Sequence, residues 1–307
     1  MISVLLLYKI LQLAVIMVFG FILVKLKFIK SQDSTVLSKI SLYMLMPAAI
    51  INSFDVEITT DVVNGLLLAF ASAILIHILL LVIDFIYNKL FKGTSVERAS
   101  IVYSNAANLI IPIVSYVLGD EWVIYSCAFM SVQLVFLWTH GIQLFSKEKK
   151  VNIKKILLNI NIITIAIGVI LMSCGIRLPG FVKEISSSLG SMLGIVAMII
   201  AGMLAAQIDF KKIFTNKRLY IVLIMRMVIC PAIVLLVIKG IGSVVSIMNT
   251  ENILLISFFA CITPSAATVM QFAQLNDKDA DFAAAINIVT TLVCIVTMPI
   301  FVALYHL

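Results

Sequence analysis

Charged residues are scarce: Asp, Glu, Lys and Arg make up 12% of the 307 residues, against 63% hydrophobic. A water-soluble domain carries about 25% charged and about 45–50% apolar residues. A chain with this little charge, and a mean hydropathy of +1.18, cannot hide its apolar surface from water. A bilayer removes the problem, because lipid tails replace water against the side chains. Long polar stretches are also missing, so no soluble domain fits between the apolar runs. Paired cysteines are missing too. Cys127, Cys174, Cys230, Cys261 and Cys294 are widely spaced and form no CxxC, which argues for small packing residues and against a disulfide framework or metal site. No HExxH, no GxSxG and no pair of mid-membrane aspartates occurs, so the sequence gives no support to a membrane-embedded enzyme. No cofactor is expected.

What is there is a series of apolar runs, each near the 20 residues a spanning helix needs. Ten are expected, at 4–24, 35–53, 62–87, 98–119, 122–145, 156–176, 188–207, 219–239, 252–274 and 282–305. They are continuous and not alternating, which favours helices over a barrel. The first has neither a basic leader nor a small-residue cleavage site, so it reads as a span and not as a signal peptide.

Loop cations set the expected orientation. The odd connections hold Lys25, Lys27 and Lys30; Lys89, Lys92 and Arg98; Lys147, Lys149, Lys150, Lys154 and Lys155; Lys211, Lys212, Lys217 and Arg218; and Lys278. The even ones hold only Arg177, Lys183 and Lys239, with the acids Asp55, Glu57, Asp61, Asp120 and Glu121. Odd loops are therefore expected in the cytoplasm and both termini outside, in the cytoplasmic membrane. The net charge of +7 is spread over short loops, so it implies no nucleic-acid partner. A short basic linker, 146–155, separates five spans in 1–145 from five in 156–307. An odd number of spans per half reverses the second half, which is the geometry of an inverted repeat.

In each half the fourth span carries a polar, proline-containing stretch. In the first, YSNAANLIIPIVSYVLG, Asn105 and Asn108 share one helix face and Pro112 withholds the N–H that would bond the Asn108 carbonyl. In the second, CITPSAATVMQFAQ, Thr263 followed by Pro264 predicts a helix start, with Ser265, Thr268 and Gln271 nearby. Unpaired backbone is tolerated in a membrane only inside protein or beside a wet cavity. Two such breaks meeting near the midplane would aim positive helix ends into a polar site suited to a carboxylate.

Other intramembrane polar residues carry two readings each. His77 is a proton relay or a packing histidine. Arg226 snorkels to the cytoplasmic face, or attracts substrate, or pairs helices. Gln133 lines the site or joins helices by a hydrogen bond. Lys39 and Asp84 are expected at the inner interface, and Lys9 near the outer end of the first span. GSMLG (Gly190, Gly194) is a small-xxx-small packing signal.

The stretches KISLYMLMPAAIINSF, SNAANLIIPIVSYVLG, VQLVFLW, IMRMVICPAIVLL, ACITPSAATVMQFAQLND and VTTLVCIVTMPIFVAL, in this order and spacing, resemble the auxin efflux carrier family. Its bacterial members include malate and malonate permeases; the short linker sets the chain apart from plant carriers with long central loops. The resemblance implies an all-α integral membrane fold of ten helices in two inverted five-helix repeats, with broken helices 4 and 9 crossing. It implies alternating access and a substrate site at the crossover, carried here by Asn105, Asn108, Pro112 and Pro264, with Thr263 and Ser265 beside them. The expected function is secondary transport of a small organic anion, with H+ or Na+ as coupling ion. The expected partners are that anion and the bilayer, and a homodimer is compatible with the pattern. A sodium-coupled symporter of bile-acid-transporter type, and a channel or sensor, are the competing readings.

Overall fold

The computed structural model describes residues 2–145, 154, 157–207 and 215–307. Of the loop cations above, Lys147, Lys149, Lys150, Lys155, Lys211 and Lys212 lie outside the described residues, as does most of the linker.

The described chain is helical. We number its main elements α1 (Ile2–Lys25), α2 (Ser31–Ser53), α3 (Thr60–Phe91), α4 (Ser95–Val102), α5 (Ala106–Val117) and α6 (Asp120–Phe145). In the second half follow α7 (Ile160–Ser173), α8 (Gly180–Ala205), α9 (Lys217–Val244), α10 (Thr250–Ile262), α11 (Ala267–Leu275) and α12 (Ala280–Tyr305). Seven of these, α1, α2, α3, α6, α8, α9 and α12, are long and apolar enough to cross a membrane. Large apolar side chains such as Phe19, Leu67, Phe85 and Leu236 point outward, as expected of helices whose outer faces meet lipid.

Helix ends differ from the hydropathy limits for local reasons. α3 begins earlier because Thr59 caps it, its hydroxyl accepting from the Val62 N–H at 3.2 Å. It ends at Lys92 in the left-handed conformation (φ 48°). α8 starts eight residues before the expected limit. Its first turns, GFVKEISS, interleave Lys183, Glu184, Ser186 and Ser187 with apolar residues, which lowers their hydropathy without preventing a helix. α4 starts on a capping box: Thr94 accepts from Glu97 N–H, and Glu97 accepts from Thr94 N–H.

Three helices contain a wide, π-helical turn: Ser41–Leu45, Leu137–Gly141 and Met225–Ile229. The first and third lie directly before Met46-Pro47 and Cys230-Pro231. A proline ring crowds the carbonyl one turn back and cannot bond to it, and a widened turn relieves both problems without breaking the helix.

α1 lies against α8 at close range. A Cβ placed on Gly202 would be 1.9 Å from the Met17 carbonyl oxygen, and one on Gly20 would be 2.4 Å from that of Ile199. Backbone is touching backbone here, which requires glycine. The glycines of GSMLG serve other contacts: Gly190 meets Ala49 in α2, and Gly194 meets the Pro112 ring in α5.

Candidate transport site at two facing helix interruptions

α4 and α5 are separated by Tyr103, Ser104 and Asn105; α10 and α11 are separated by Thr263, Pro264, Ser265 and Ala266. The two interruptions face each other. Ser104 and Ser265 form an antiparallel bridge. Asn105 N–H donates to the Pro264 carbonyl at 2.8 Å, and Ala266 N–H donates to the Tyr103 carbonyl at 2.9 Å. Backbone that cannot pair within a helix pairs here with the other break, deep in the protein. Ser104, Thr263 and Ser265 are buried, whereas Asn105 and Asn108 are half-buried.

Each bridge residue is also held on its far side by the helix that follows. Gln133 in α6 accepts from Ser104 N–H (3.1 Å) and from Ser104 Oγ (2.6 Å), and its amide donates to the Ser104 carbonyl (2.9 Å). In the other half, Thr290 Oγ1 in α12 accepts from Ser265 N–H (3.1 Å), and the Asn287 amide donates to the Ser265 carbonyl (2.5 Å). The sequence reading named Gln133 but missed Asn287 and Thr290. Single polar residues in an apolar helix gave no sign of facing a break.

Two positions of the breaks need correction. Pro112 does not mark the first interruption. It lies inside α5, seven residues beyond Asn105, with its ring against Gly194. The chain opens instead at Tyr103–Asn105. There Asn105 precedes the helix and accepts, through its side chain, from the Asn108 amide at 2.9 Å. Thr263-Pro264 does not start a helix either. Thr263 closes α10, its hydroxyl turning back to the Ala260 carbonyl (2.9 Å). Pro264 is extended linker, and α11 begins at Ala267 after Ala266. The carbonyl of Pro264 is taken by Asn105, which keeps this stretch extended. Thr268 is half-buried in the first turn of α11, and Gln271 is exposed.

Arg226 also departs from expectation. It does not snorkel: it is fully buried. Its Nη1 donates to the Ile101 carbonyl (3.1 Å), and its Nη2 donates to the carbonyls of Cys261 (2.6 Å) and Thr263 (2.7 Å). It therefore ties the C-terminal end of α4 to that of α10. Depth along one helix suggested reach to the surface, but the π-turn and the two helix ends beside it bring acceptors within reach. His77 is fully buried, with Gln133 and Arg226 among its neighbours. Its Nδ1 lies 2.7 Å from the Ala73 carbonyl, and its ring packs between Phe129 and Phe136 at 4.7 and 5.4 Å. Asp84, near the C-terminal end of α3, is buried inside the protein. Its side chain is 2% exposed and is gripped by Arg98 at 2.9 and 2.6 Å, with His140 Nε2 at 3.4 Å.

Beyond the first turns of α5, a cleft of about 520 Å³ lies between α1, α2, α5 and α8. Lys9, Asn52, Ser115, Ser187 and Ser191 give it polar walls, and Pro112 and Asp120 also border it. Lys9 Nζ stands 4.7 Å over the Tyr116 ring. A smaller apolar cavity lies beside Pro264 and Thr291, walled by Leu13, Met17, Leu109 and Met298.

A family model described as membrane transport protein matches residues 5–154 and again residues 147–302. The chain belongs to this family, the auxin efflux carrier family. No curated protein matches it. As a member of the auxin efflux carrier family the chain is a multi-pass membrane transporter. The family model fits it twice, once in each half.

Proposed function

We propose that this transporter is a secondary active permease that moves a small organic anion, a carboxylate first of all, by alternating access. The observation that carries the reading is the pair of facing interruptions. Each break begins a new helix, α5 or α11, whose first N–H groups have no acceptor within the helix and carry the positive end of its dipole. Arg226 adds a full positive charge within the same bonded group, and among the described residues it forms no ion pair with an acid. In a low-dielectric interior such a group favours an anion.

In this reading α4 with α5 makes the fourth span and α10 with α11 the ninth, crossing at the bridge. α7 is the sixth span, which gives ten. Residues 1–145 and 156–307 are then inverted five-helix repeats joined by 146–155, with both termini outside. The matched bracing of Ser104 by Gln133 and of Ser265 by Asn287 and Thr290 supports the repeat, because each half solves the same backbone problem in the same way. Asn105, Asn108 and Thr268, half-buried beside the helix starts, are the side chains we assign to the solute. Pro112, Pro264, Thr263, Ser265 and Gln133 shape the backbone around it. The cleft walled by Lys9, Asn52 and Ser115 is the outer approach, and its volume suits a small carboxylate.

The experiment has two stages. Mono- and dicarboxylates are screened for a rise in the unfolding midpoint of the purified protein. The best of them is then tested for saturable counterflow in proteoliposomes. Absence of both stabilisation and counterflow across the carboxylates, with stabilisation by an organic cation instead, overturns the anion reading.

A further inference from the structure

We propose that the Arg226 guanidinium is a built-in cation that fills the place where an exchangeable metal ion would join the two interrupted helices, leaving the transport cycle independent of sodium at this position. Three carbonyl oxygens converge there, those of Ile101, Cys261 and Thr263. Ile101 is in the last turn of α4, Cys261 is in the last turn of α10, and Thr263 follows α10 directly. Helix C-terminal ends carry negative partial charge and carbonyls with no intrahelical donor. Buried without a partner, each such oxygen costs free energy. Half-helix C-termini and unwound carbonyls of this kind are where interrupted-helix transporters hold Na+.

In this chain a nitrogen stands 2.6 to 3.1 Å from each oxygen, so the oxygens are already satisfied. The side chain reaches them from α9, a third element, through the widened turn Met225–Ile229. It is entirely shielded from solvent. Its neighbours include Cys230, Cys261, Cys294 and His77, and no carboxylate bonds to it among the described residues. A metal ion at this place would have to displace a tethered charge of the same sign. An ion that never leaves cannot carry a gradient. Arg226 holds α4 and α10 together as a fixed bolt. The inference does not depend on the carried solute being an anion.

The test uses unfolding midpoints of the purified full chain, which need no known substrate. Wild type is compared in NaCl and choline chloride at equal ionic strength. Arg226→Ala is compared in choline chloride alone, with NaCl, with millimolar guanidinium, and with urea at the same concentration as a neutral control of similar shape. The expected result is no sodium-dependent shift in wild type. The variant should melt lower and recover part of the loss with guanidinium or Na+ but not with urea. A wild-type midpoint raised by Na+ over choline overturns the proposal. So does a variant that melts as wild type does, or one whose loss neither cation restores. If Arg226→Ala does not fold, Arg226→Lys keeps the charge and loses the fork. It should fold with a reduced midpoint, and a midpoint no better than that of Arg226→Gln overturns the proposal.

Discussion

Ser104 and Ser265 sit opposite each other across an antiparallel bridge, and each is bonded on its other side by an amide or hydroxyl side chain from the next long helix. Four backbone polar groups that no helix can satisfy are thus paired inside the protein. The two braces are unequal. Gln133 makes three bonds to Ser104, whereas Asn287 makes one to Ser265 and leaves the Ser265 N–H to Thr290.

That inequality predicts an order of stability. Gln133→Leu strands the Ser104 N–H and carbonyl, each worth about 1–3 kcal/mol when buried without a partner. Asn287→Leu strands the Ser265 carbonyl alone. Unfolding midpoints in detergent should fall for both variants, and further for Gln133→Leu. An equal fall, or none, would mean that water or a backbone shift takes over the lost bonds.

The half-buried pair Asn105 and Asn108 predicts a separation of transport from folding. Asn108→Leu removes the amide that donates to Asn105 Oδ1 and makes the start of α5 apolar. Transport of the solute found by screening should be lost. Membrane insertion and the unfolding midpoint should stay close to wild type, since the bridge itself does not use Asn108. Retained counterflow in this variant removes Asn108 from the solute's path.

How much of this could be read from the sequence depends on what each residue faces. The long spans were legible because twenty apolar residues in a row admit one structural answer. Two polar interruptions, one in each half, were legible for the same reason in reverse. Their positions were not. Pro112 drew the eye, yet a proline inside a membrane helix is accommodated by a neighbour with room for its ring, here Gly194. Tyr103–Asn105 opens instead because the backbone of the other break offers it partners, and pairing between residues 161 apart leaves no local mark. Arg226 was misjudged on the same ground. Its distance from the helix end was visible, but the carbonyls of Ile101, Cys261 and Thr263 beside it were not. For Asp84 the position near the end of its span was visible, but the convergence of Arg98 and His140 on it was not.

Close helix packing gives a prediction with an internal control. Gly202→Ala puts a methyl into the Met17 carbonyl, where only backbone can yield, whereas a Cβ at Gly240 meets nothing within 4 Å. Overpacking of this kind costs about 1–3 kcal/mol, offset only slightly by the helix preference of alanine. Gly202→Ala should therefore melt below wild type and Gly240→Ala at or above it. Equal midpoints would show that α1 and α8 slide apart at little cost.

The Asp84 cluster predicts a deficit that depends on the shape of its cation. Arg98→Gln leaves the Asp84 carboxylate, 2% exposed, without the guanidinium that bonds both of its oxygens. Losing one partner of a buried pair costs about 3–5 kcal/mol. The unfolding midpoint should fall in Arg98→Gln and recover only in part in Arg98→Lys, which keeps the charge and loses the fork. A midpoint that Arg98→Gln leaves unchanged would show that His140, 3.4 Å away, or water takes over the contact.

Asp55 supplies a pH test, and it lies outside the spans. It lies in the connection between α2 and α3. There it accepts from the Leu178 N–H at 3.1 Å and from Lys183 at 2.7 Å, with Arg177 at 3.8 Å. Burial pushes the carboxyl up, but the Lys183 and Leu178 hydrogen bonds and the charges of Lys183 and Arg177 outweigh it. The group is held below its ordinary value of 3.8. A depressed carboxyl stabilises the fold above its unfolded pKa, and that contribution is lost as pH falls through the folded value. The contact joins the α2–α3 connection to the start of α8, so its loss should loosen one half against the other. Asp55→Asn keeps the Leu178 acceptor but removes the charge. It should lower the midpoint at pH 7, and the difference from wild type should shrink as the pH falls below 3.8 and through the lowered value of the folded carboxyl. Because both cations are half-exposed, the effect should also shrink in high salt. A difference that survives both acid and salt would assign the role of Asp55 to its shape and hydrogen bond and not to its charge.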